Sequence, residues 1–195
     1  PRWSPASPRG FQLFFSLIQG EQPVDGYRLR TGFRKVRFQQ NRLFLNDRAI
    51  LLKGINYVYQ DTEGAGLFDR DLVLQDLLNI RSRGFNAVRI AFFPQNSQFY
   101  NLTDSLGILC LQDLSLPLFT ETNLTDSLQL ARISQHIQSF QKIARRHPSV
   151  LGIGLNLFYM ADQIMSAPVL AQINNLVSGE QRWFPYYSLF GKEIS

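Results

Sequence analysis

The chain is poor in the residues that form covalent cross-links and most metal sites. It has one cysteine and two histidines among 195 residues, and a single cysteine excludes an internal disulfide. Cys110 lies in an apolar stretch, Gly107 to Leu111, which favours a buried strand residue. His-x-x-x-His and Cys-x-x-Cys spacings are missing, as is a phosphate-cradling Gly-Lys-Ser/Thr loop, so we expect neither a metal nor a cofactor.

Long apolar runs and long blocks of one charge are also missing. No stretch reaches the ~18 apolar residues of a membrane span, so we expect no transmembrane segment in this chain. The net charge is +5, but the basic residues are scattered over 28–48, 81–83 and 145–146, and we expect no nucleic-acid partner. With 45% hydrophobic and 18% charged residues the chain is globular. Its compartment stays open, with a periplasmic or secreted location as one alternative.

The hydrophobic pattern changes near Gly54. Before it, residues 11–52 show short apolar runs typical of strands, with Asn46-Asp47 as a predicted hairpin turn. After it, strands and helices alternate, which predicts parallel βαβ units with chemistry at the carboxyl ends of the strands. The predicted helices are 69–83, 97–106, 125–146 and 167–178, and the predicted strands are 86–93, 108–111, 150–157 and 183–190.

Several short motifs recur in the order of a known family. They are Trp3-Ser4-Pro5, Val24-Asp25-Gly26-Tyr27, Leu43 to Arg48, Leu52 to Asn56, Asn86-Ala87-Val88-Arg89, and Tyr100 through Asp104 to Gly107. Together they resemble the family 2 glycoside hydrolases, the β-galactosidase and β-glucuronidase relatives, over residues 3 to 158. The resemblance implies an α/β fold: the last strands of an immunoglobulin-like β-sandwich in residues 1–40, then about the first half of a (β/α)8 TIM barrel in residues 41–195.

The resemblance fails where the family carries its general acid/base. There the strand after Asn-His-Pro-Ser ends in Asn-Glu, and the Glu is the acid/base. Here Arg146-His147-Pro148-Ser149 precedes a strand that ends in Asn156-Leu157-Phe158. Aligned without a gap, Leu157 and Phe158 take the two positions; with one deletion, Asn156 and Leu157 do. Neither alignment supplies a carboxylate.

Other sugar-binding motifs of the family are altered as well. The Gly-Val-Asn-x-His-Glu motif after strand one becomes Gly54-Ile55-Asn56-Tyr57-Val58-Tyr59, and Ser-His-Tyr-Pro after strand two becomes Ala91-Phe92-Phe93-Pro94. The Asp-Glu pair at strand three is replaced by Gln112-Asp113. The aromatic residues that take these places either form a platform for sugar rings or fill space left by lost polar groups, and the sequence leaves both open.

Some candidate site residues survive these changes. Asp113 and Asp162 are the weak candidates for catalysis. The candidates for substrate binding are Asn56, Tyr57, Tyr59, Arg89, Phe92, Asp113 and Asn156. The resemblance implies that Arg89 orients active-site carboxylates, and the alternative is an inward arginine paired with Asp113 or another local acid.

These features favour a catalytically degenerate module over an enzyme. A retaining glycosidase needs two carboxyl groups ~5–5.5 Å apart, and the first is missing here. The resemblance places the second on strand seven. This chain has five predicted barrel strands, counting the one that the resemblance starts at Leu52 to Asn56. We therefore expect a structural, protein-interaction or saccharide-binding domain of a larger assembly. The alternative is an active β-glycosidase whose remaining catalytic residues lie outside this chain. Five strands cannot close an eight-stranded barrel, so we expect another segment or subunit to cover the open edge.

Overall fold

The computed structural model describes residues 2–40, 42–59, 68–91, 95–116, 127–157 and 186–187. The described part begins with an antiparallel hairpin of β1 (Phe11–Gln19) and β2 (Gln22–Thr31). Its turn contains Gly20 with a positive φ of 65°. Alternation places Phe15 and Leu17 of β1 on one face with Tyr27 of β2, and all three side chains are more than half exposed.

A second antiparallel sheet consists of β3 (Val36–Gln39), β4 (Arg42–Leu45) and β5 (Arg48–Ile50). The predicted hairpin turn is confirmed: Asn46 and Asp47 have φ of 53° and 69° and connect β4 to β5. Two successive positive φ angles give a turn whose twist matches the flanking strands, and Asn and Asp tolerate them. The predicted domain boundary after residue 40 falls in the turn between β3 and β4 and stays a prediction.

The rest of the described chain forms parallel βαβ units, as predicted. The elements are β6 (Gly54–Tyr57), α1 (Arg70–Ser82), β7 (Ala87–Ile90), α2 (Ser97–Leu106), β8 (Leu109–Leu116), α3 (Ser127–Ala144), β9 (Val150–Leu157) and β10 (Tyr186–Tyr187). The five strands lie in the order β10-β9-β8-β7-β6, and every neighbouring pair is parallel. This is a partial α/β barrel. The predicted helix 167–178 lies outside the described residues, and of the predicted strand 183–190 only β10 is described.

Local signals fix the ends of two helices. The Asp69 carboxylate accepts hydrogen bonds from the first backbone N–H groups of α1, and the Asn96 side chain does the same for α2. Gly107 ends α2 with a φ of 71°, where a Cβ atom would lie 2.3 Å from the carbonyl oxygen of Pro5. The αL conformation and this close approach both require glycine at this position.

Two apolar clusters lie on opposite faces of the parallel sheet. Residues that alternate toward the helices, such as Val88 and Ile90, pack with Leu77 of α1. Residues of the other alternation, at the amino ends of β7 to β9, pack against the three-stranded sheet; they are Ala87, Leu109 and Leu151, with Trp3 and Leu45. The β3–β5 sheet therefore covers the amino end of the half-barrel, and the carboxyl ends of the strands lie at the other end.

A buried polar network joins α2 to the turn between α3 and β9. The His147 ring Nδ1 lies 2.7 Å from the Asp104 carboxylate, which also accepts a hydrogen bond from the Ser149 backbone N–H at 2.9 Å. The Trp3 indole donates to the Asp104 carbonyl oxygen. The Arg34 guanidinium donates to the Pro148 and Val150 carbonyl oxygens, and burial lowers its pKa to about 10. His147 thus ties two segments together, a role that its place after the helix did not indicate.

Among the described residues, no helix is long and apolar enough to cross a membrane.

Candidate functional site

The candidate site lies inside the half-barrel, at the carboxyl ends of β6, β7 and β8. Asn56 and Arg89 are direct partners in the β6–β7 register. Arg89 pairs with Leu111 of β8, so Asp113 follows two residues later on the same face of the sheet. Three of the predicted site residues, Asn56, Arg89 and Asp113, are therefore brought together by strand register.

The Arg89 guanidinium connects the other two side chains. Its Nη1 donates a hydrogen bond to Asn56 Oδ1 at 3.2 Å, and its Nη2 forms an ion pair with Asp113 Oδ2. The Asp113 side chain is 1% exposed and the Arg89 side chain 22% exposed, so solvent reaches the pair only from the arginine side. The predicted Arg89–Asp113 pairing is confirmed. A carboxylate held this way accepts hydrogen bonds, whereas a general acid must donate a proton.

A second set of polar groups holds the β8 backbone at Gln112 and Asp113 from the helix side. The Tyr100 hydroxyl donates to the Gln112 side-chain oxygen at 2.6 Å, and the Gln112 amide donates to the Asp113 carbonyl oxygen at 2.6 Å. Burial raises the pKa of Tyr100, so its hydroxyl stays a neutral donor. These two side chains hold the backbone that carries Asp113. Sequence reasoning missed them, although a glutamine in an apolar strand is the signal that could have indicated a buried hydrogen bond.

The two tyrosines after Asn56 contact helix α1. Tyr57 is buried, and its hydroxyl donates to Asp76 Oδ2 at 3.1 Å. Burial and the nearby Asp76 carboxylate raise the pKa of Tyr57, so this donor also stays protonated. The Tyr59 hydroxyl accepts from the Asp69 backbone N–H at 2.9 Å, and its ring packs on Phe68 with centroids 5.8 Å apart. Both hydroxyls therefore brace α1, and a role of these rings in saccharide binding stays a prediction.

Of the three remaining predicted site residues, only Asn156 lies in the described part of the chain, and there only its backbone. Phe92 and Asp162 lie outside the described residues. The Asn156 backbone lies in β9 opposite Ser115, two positions beyond the Asp113–Gly154 pair. Their roles stay predictions.

The buried cysteine offers no reactive or metal-binding group. Cys110 is in β8, fully buried in the cluster between sheet and helices. Burial raises the pKa of its thiol to about 12, so the thiolate that a nucleophile or a metal ligand needs is disfavoured. Within the described ranges, no three His, Cys, Asp or Glu side chains group as metal ligands would.

A known protein family has this architecture. The model of the family described as glycosyl hydrolases family 2, TIM barrel domain, matches residues 36–151. The chain belongs to this family. The match covers β3 to β8 and ends at Leu151, the second residue of β9, five residues before Asn156.

Individual relatives and structures are similar over most of the chain. A β-galactosidase of Psychromonas ingrahamii is 27% identical over 155 residues, which are 77% of this chain and 15% of that enzyme. A β-galactosidase of Oenococcus oeni is 26% identical over 156 residues, 76% of this chain and 15% of that enzyme. This chain thus spans about 15% of the length of these relatives.

Solved structures support the same fold. A family 2 β-galacturonidase of Eisenbergiella tayi bound to glycerol gives a TM-score of 0.81 at 22% identity, over 96% of this chain and 33% of the other. The β-glucuronidase 3 of Bacteroides uniformis gives 0.73 at 21% identity, over 93% of this chain and 24% of the other. The fold assigned from the resemblance, a partial family 2 TIM barrel, is confirmed.

Proposed function

We propose that this family 2 module is catalytically degenerate and serves as a structural and protein-interaction domain within a larger assembly. The observation that carries the proposal is the end of β9, where Asn156-Leu157 stands without a carboxylate at the position where the resemblance places the acid/base. The family match, which ends at Leu151, supports a departure from the family at this strand.

The state of Asp113 supports the same proposal. Among the described residues it is the one carboxylate on the interior face at the carboxyl ends of β6 to β8, and Arg89 already pairs with it. A retaining mechanism needs two carboxyl groups ~5–5.5 Å apart, one to protonate the leaving group and one to attack. Losing a positioned general acid costs ~10²–10⁴ in rate. The single carboxylate of Asp113, paired with Arg89, does not supply both groups.

The second candidate function is an active β-glycosidase completed by residues outside this chain. The Asn56–Arg89–Asp113 cluster favours it, because it preserves the arginine that the resemblance assigns to orienting carboxylates. The relatives named β-galactosidase point the same way. In that case Arg89 would act on a carboxylate supplied by another segment.

The two functions are separated by activity on aryl β-galactosides and β-glucuronides, whose phenolate leaving groups are easy to detect. We expect the purified chain to release phenolate no faster than buffer, and Asp113→Asn to behave as the parent does. Turnover above the uncatalysed rate would reject the degenerate module, and its loss in an Asp113→Asn variant that circular dichroism shows to be folded would identify Asp113 as a functional acid.

The partner is inferred from the edge of the parallel sheet. In the described ranges β6 pairs with β7 on one side, and the backbone groups on the other side of a strand pair readily with another chain. We propose that another segment or subunit covers this side of the half-barrel. Sedimentation of the purified chain should show self-association. A monodisperse monomer that binds a saccharide at micromolar affinity, with binding lost in Tyr59→Ala, would reject this and favour a saccharide-binding role.

A further inference from the structure

The positive charge of the chain is concentrated in one short segment. Residues 34–53 contain six basic side chains and one acidic side chain, a net charge of +5. This equals the net charge of the whole chain, so all other residues together, with fourteen of each sign, are neutral. Three of the six, Arg37, Arg42 and Arg48, lie in the three-stranded sheet that covers the amino end of the half-barrel, and Lys35 directly precedes it.

Two of these basic side chains, together with Arg2, converge on one carboxylate. Arg37 Nη2 lies 2.8 Å and Lys35 Nζ 3.2 Å from Asp47 Oδ1, and Arg2 Nη1 lies 3.1 Å from Oδ2. All four side chains are 44–54% exposed. The three cations hold the pKa of Asp47 below its ordinary value, with Lys35 as the largest cause. One negative charge among three positive charges leaves this group with a surplus of two.

One further arginine extends the positive surface. Arg42 shares a face of β4 with Phe44, which pairs with Arg37 of β3, and the Arg37 guanidinium lies 5.8 Å from the centre of the Phe44 ring. Arg42 is exposed and has no carboxylate partner among the described residues. Arg48 pairs with the buried Leu45 and belongs to the opposite face of the sheet. We call Arg2, Lys35, Arg37 and Arg42 the basic hairpin face.

Apolar side chains share this face with the cations. The Phe44 ring lies beside the Arg37 guanidinium, and Leu51, which directly follows β5 in the alternation of Ala49, is 73% exposed. Arginines mixed with aromatic and apolar side chains are typical of protein interfaces. A polyanion such as a nucleic acid needs the cations, but it gains little from an exposed leucine.

We propose that the basic hairpin face binds an acidic segment of a protein, one that carries Asp or Glu together with apolar side chains. Charge complementarity argues for an acidic partner. The Asp47 site argues for carboxylates, because it shows that these cations can be held around a carboxylate group. Since the face covers the amino end of the half-barrel and the Arg89 cluster lies at the carboxyl end, this binding is independent of the proposed loss of catalysis.

The test measures binding of a short fluorescein-labelled peptide of mixed glutamate and leucine to the full chain by fluorescence anisotropy. We expect saturable binding that weakens as salt rises, and no binding of the matched glutamine–leucine peptide. The double substitution Arg37→Glu with Arg42→Glu should weaken binding at least about tenfold. Asp47→Asn should strengthen it, because it removes the competing carboxylate.

The matched control is Arg132→Glu on the exposed surface of α3, which should leave the affinity within about twofold. Circular dichroism checks that each variant is folded, and Arg37→Gln with Arg42→Gln replaces the reversal if that protein is unfolded. The proposal is wrong if the peptide does not bind, if Arg132→Glu weakens binding as much as the hairpin variant, or if a DNA duplex or phosphatidylserine vesicles bind more tightly than the peptide.

Discussion

Removing the Arg89 guanidinium should destabilise the fold strongly, because it leaves the Asp113 carboxylate inside the half-barrel without its cation. The Asp113 side chain is 1% exposed, so water cannot replace the lost partner. Breaking a buried ion pair by deleting one member costs about 3–5 kcal/mol. The arginine is 22% exposed, which favours the lower half of that range, and we expect about 3–4 kcal/mol for Arg89→Ala.

Urea denaturation followed by circular dichroism measures this loss. With a slope near the upper end of the usual ~1–3 kcal/mol per molar urea for a chain of this size, the midpoint should fall by about 1–1.5 M. The matched control is Arg81→Ala, an exposed arginine in the last turn of α1, which should change the stability by about 0.5 kcal/mol or less.

A double variant separates the loss of a partner from the loss of packing. In Arg89→Leu with Asp113→Leu neither charge remains, and apolar replacements of a buried pair are often neutral or stabilising. We therefore expect the double variant to recover most of the stability that Arg89→Ala loses. If Arg89→Ala costs less than about 1 kcal/mol, the carboxylate is solvated in solution and the ion pair does not organise the interior as described.

Three further predictions concern other buried features. Gly107→Ala should destabilise the fold more than Gly84→Ala. Both positions have φ above +70° and share the αL cost of about 1–2 kcal/mol, but only at Gly107 does the new Cβ lie 2.3 Å from a carbonyl oxygen. Equal losses of unfolding free energy in urea would contradict this. Asp104→Ala should lower the free energy of unfolding by roughly 3 kcal/mol, because the buried groups of His147 and Ser149 lose their hydrogen-bond partner. A decrease below about 1 kcal/mol would show that the network is not needed for stability. Cys110 should resist thiol reagents until the chain unfolds. Its pKa rises from 9.0 to about 12 on burial, so this contribution to stability is fully present below pH 9 and is lost as pH rises toward 12; rapid labelling of the folded chain would contradict its burial.

The secondary structure followed from local chemistry, and much of it was predictable. Asn46-Asp47 predicted a hairpin turn because these residues tolerate positive φ, and the turn is there. The predicted helix 97–106 matches α2, whose ends have a side-chain cap at Asn96 and an αL glycine at Gly107. Strand β8 was predicted to end at Leu111 but continues to Leu116, because pairing with β9 extends an irregular apolar run.

The candidate site was predictable only in part, because it depends on register between strands far apart in sequence. The Arg89–Asp113 pair could be anticipated because the two residues were expected on neighbouring strands. The direction of the Tyr59 side chain could not be anticipated, because its hydroxyl accepts a hydrogen bond from the backbone N–H of Asp69, the residue before α1. His147 was placed at a helix end by its sequence, whereas its partner Asp104 lies 43 residues earlier and is brought near by packing.

The basic hairpin face illustrates the same limit. Along the sequence its cations look scattered, and the charge of residues 34–53 shows no continuous run. The sheet brings them together because β3 and β4 pair and the tight turn at Asp47 returns the chain toward Arg37. Charge concentration on a surface is a property of the fold, so counting basic residues in runs underestimates it.

The most direct test of the non-catalytic role is hydrolysis of alkyl β-galactosides and β-glucuronides, whose poor leaving groups require protonation by a general acid. The measurement follows release of the alcohol by the purified chain and by the longest natural polypeptide that contains it, with Asp113→Asn beside each. The expected result is release at the uncatalysed rate in every sample, because β9 ends in Asn156-Leu157 and Asp113 is held by Arg89. Catalysed release of the alcohol by either protein would show that a working general acid is present and would contradict the degenerate module.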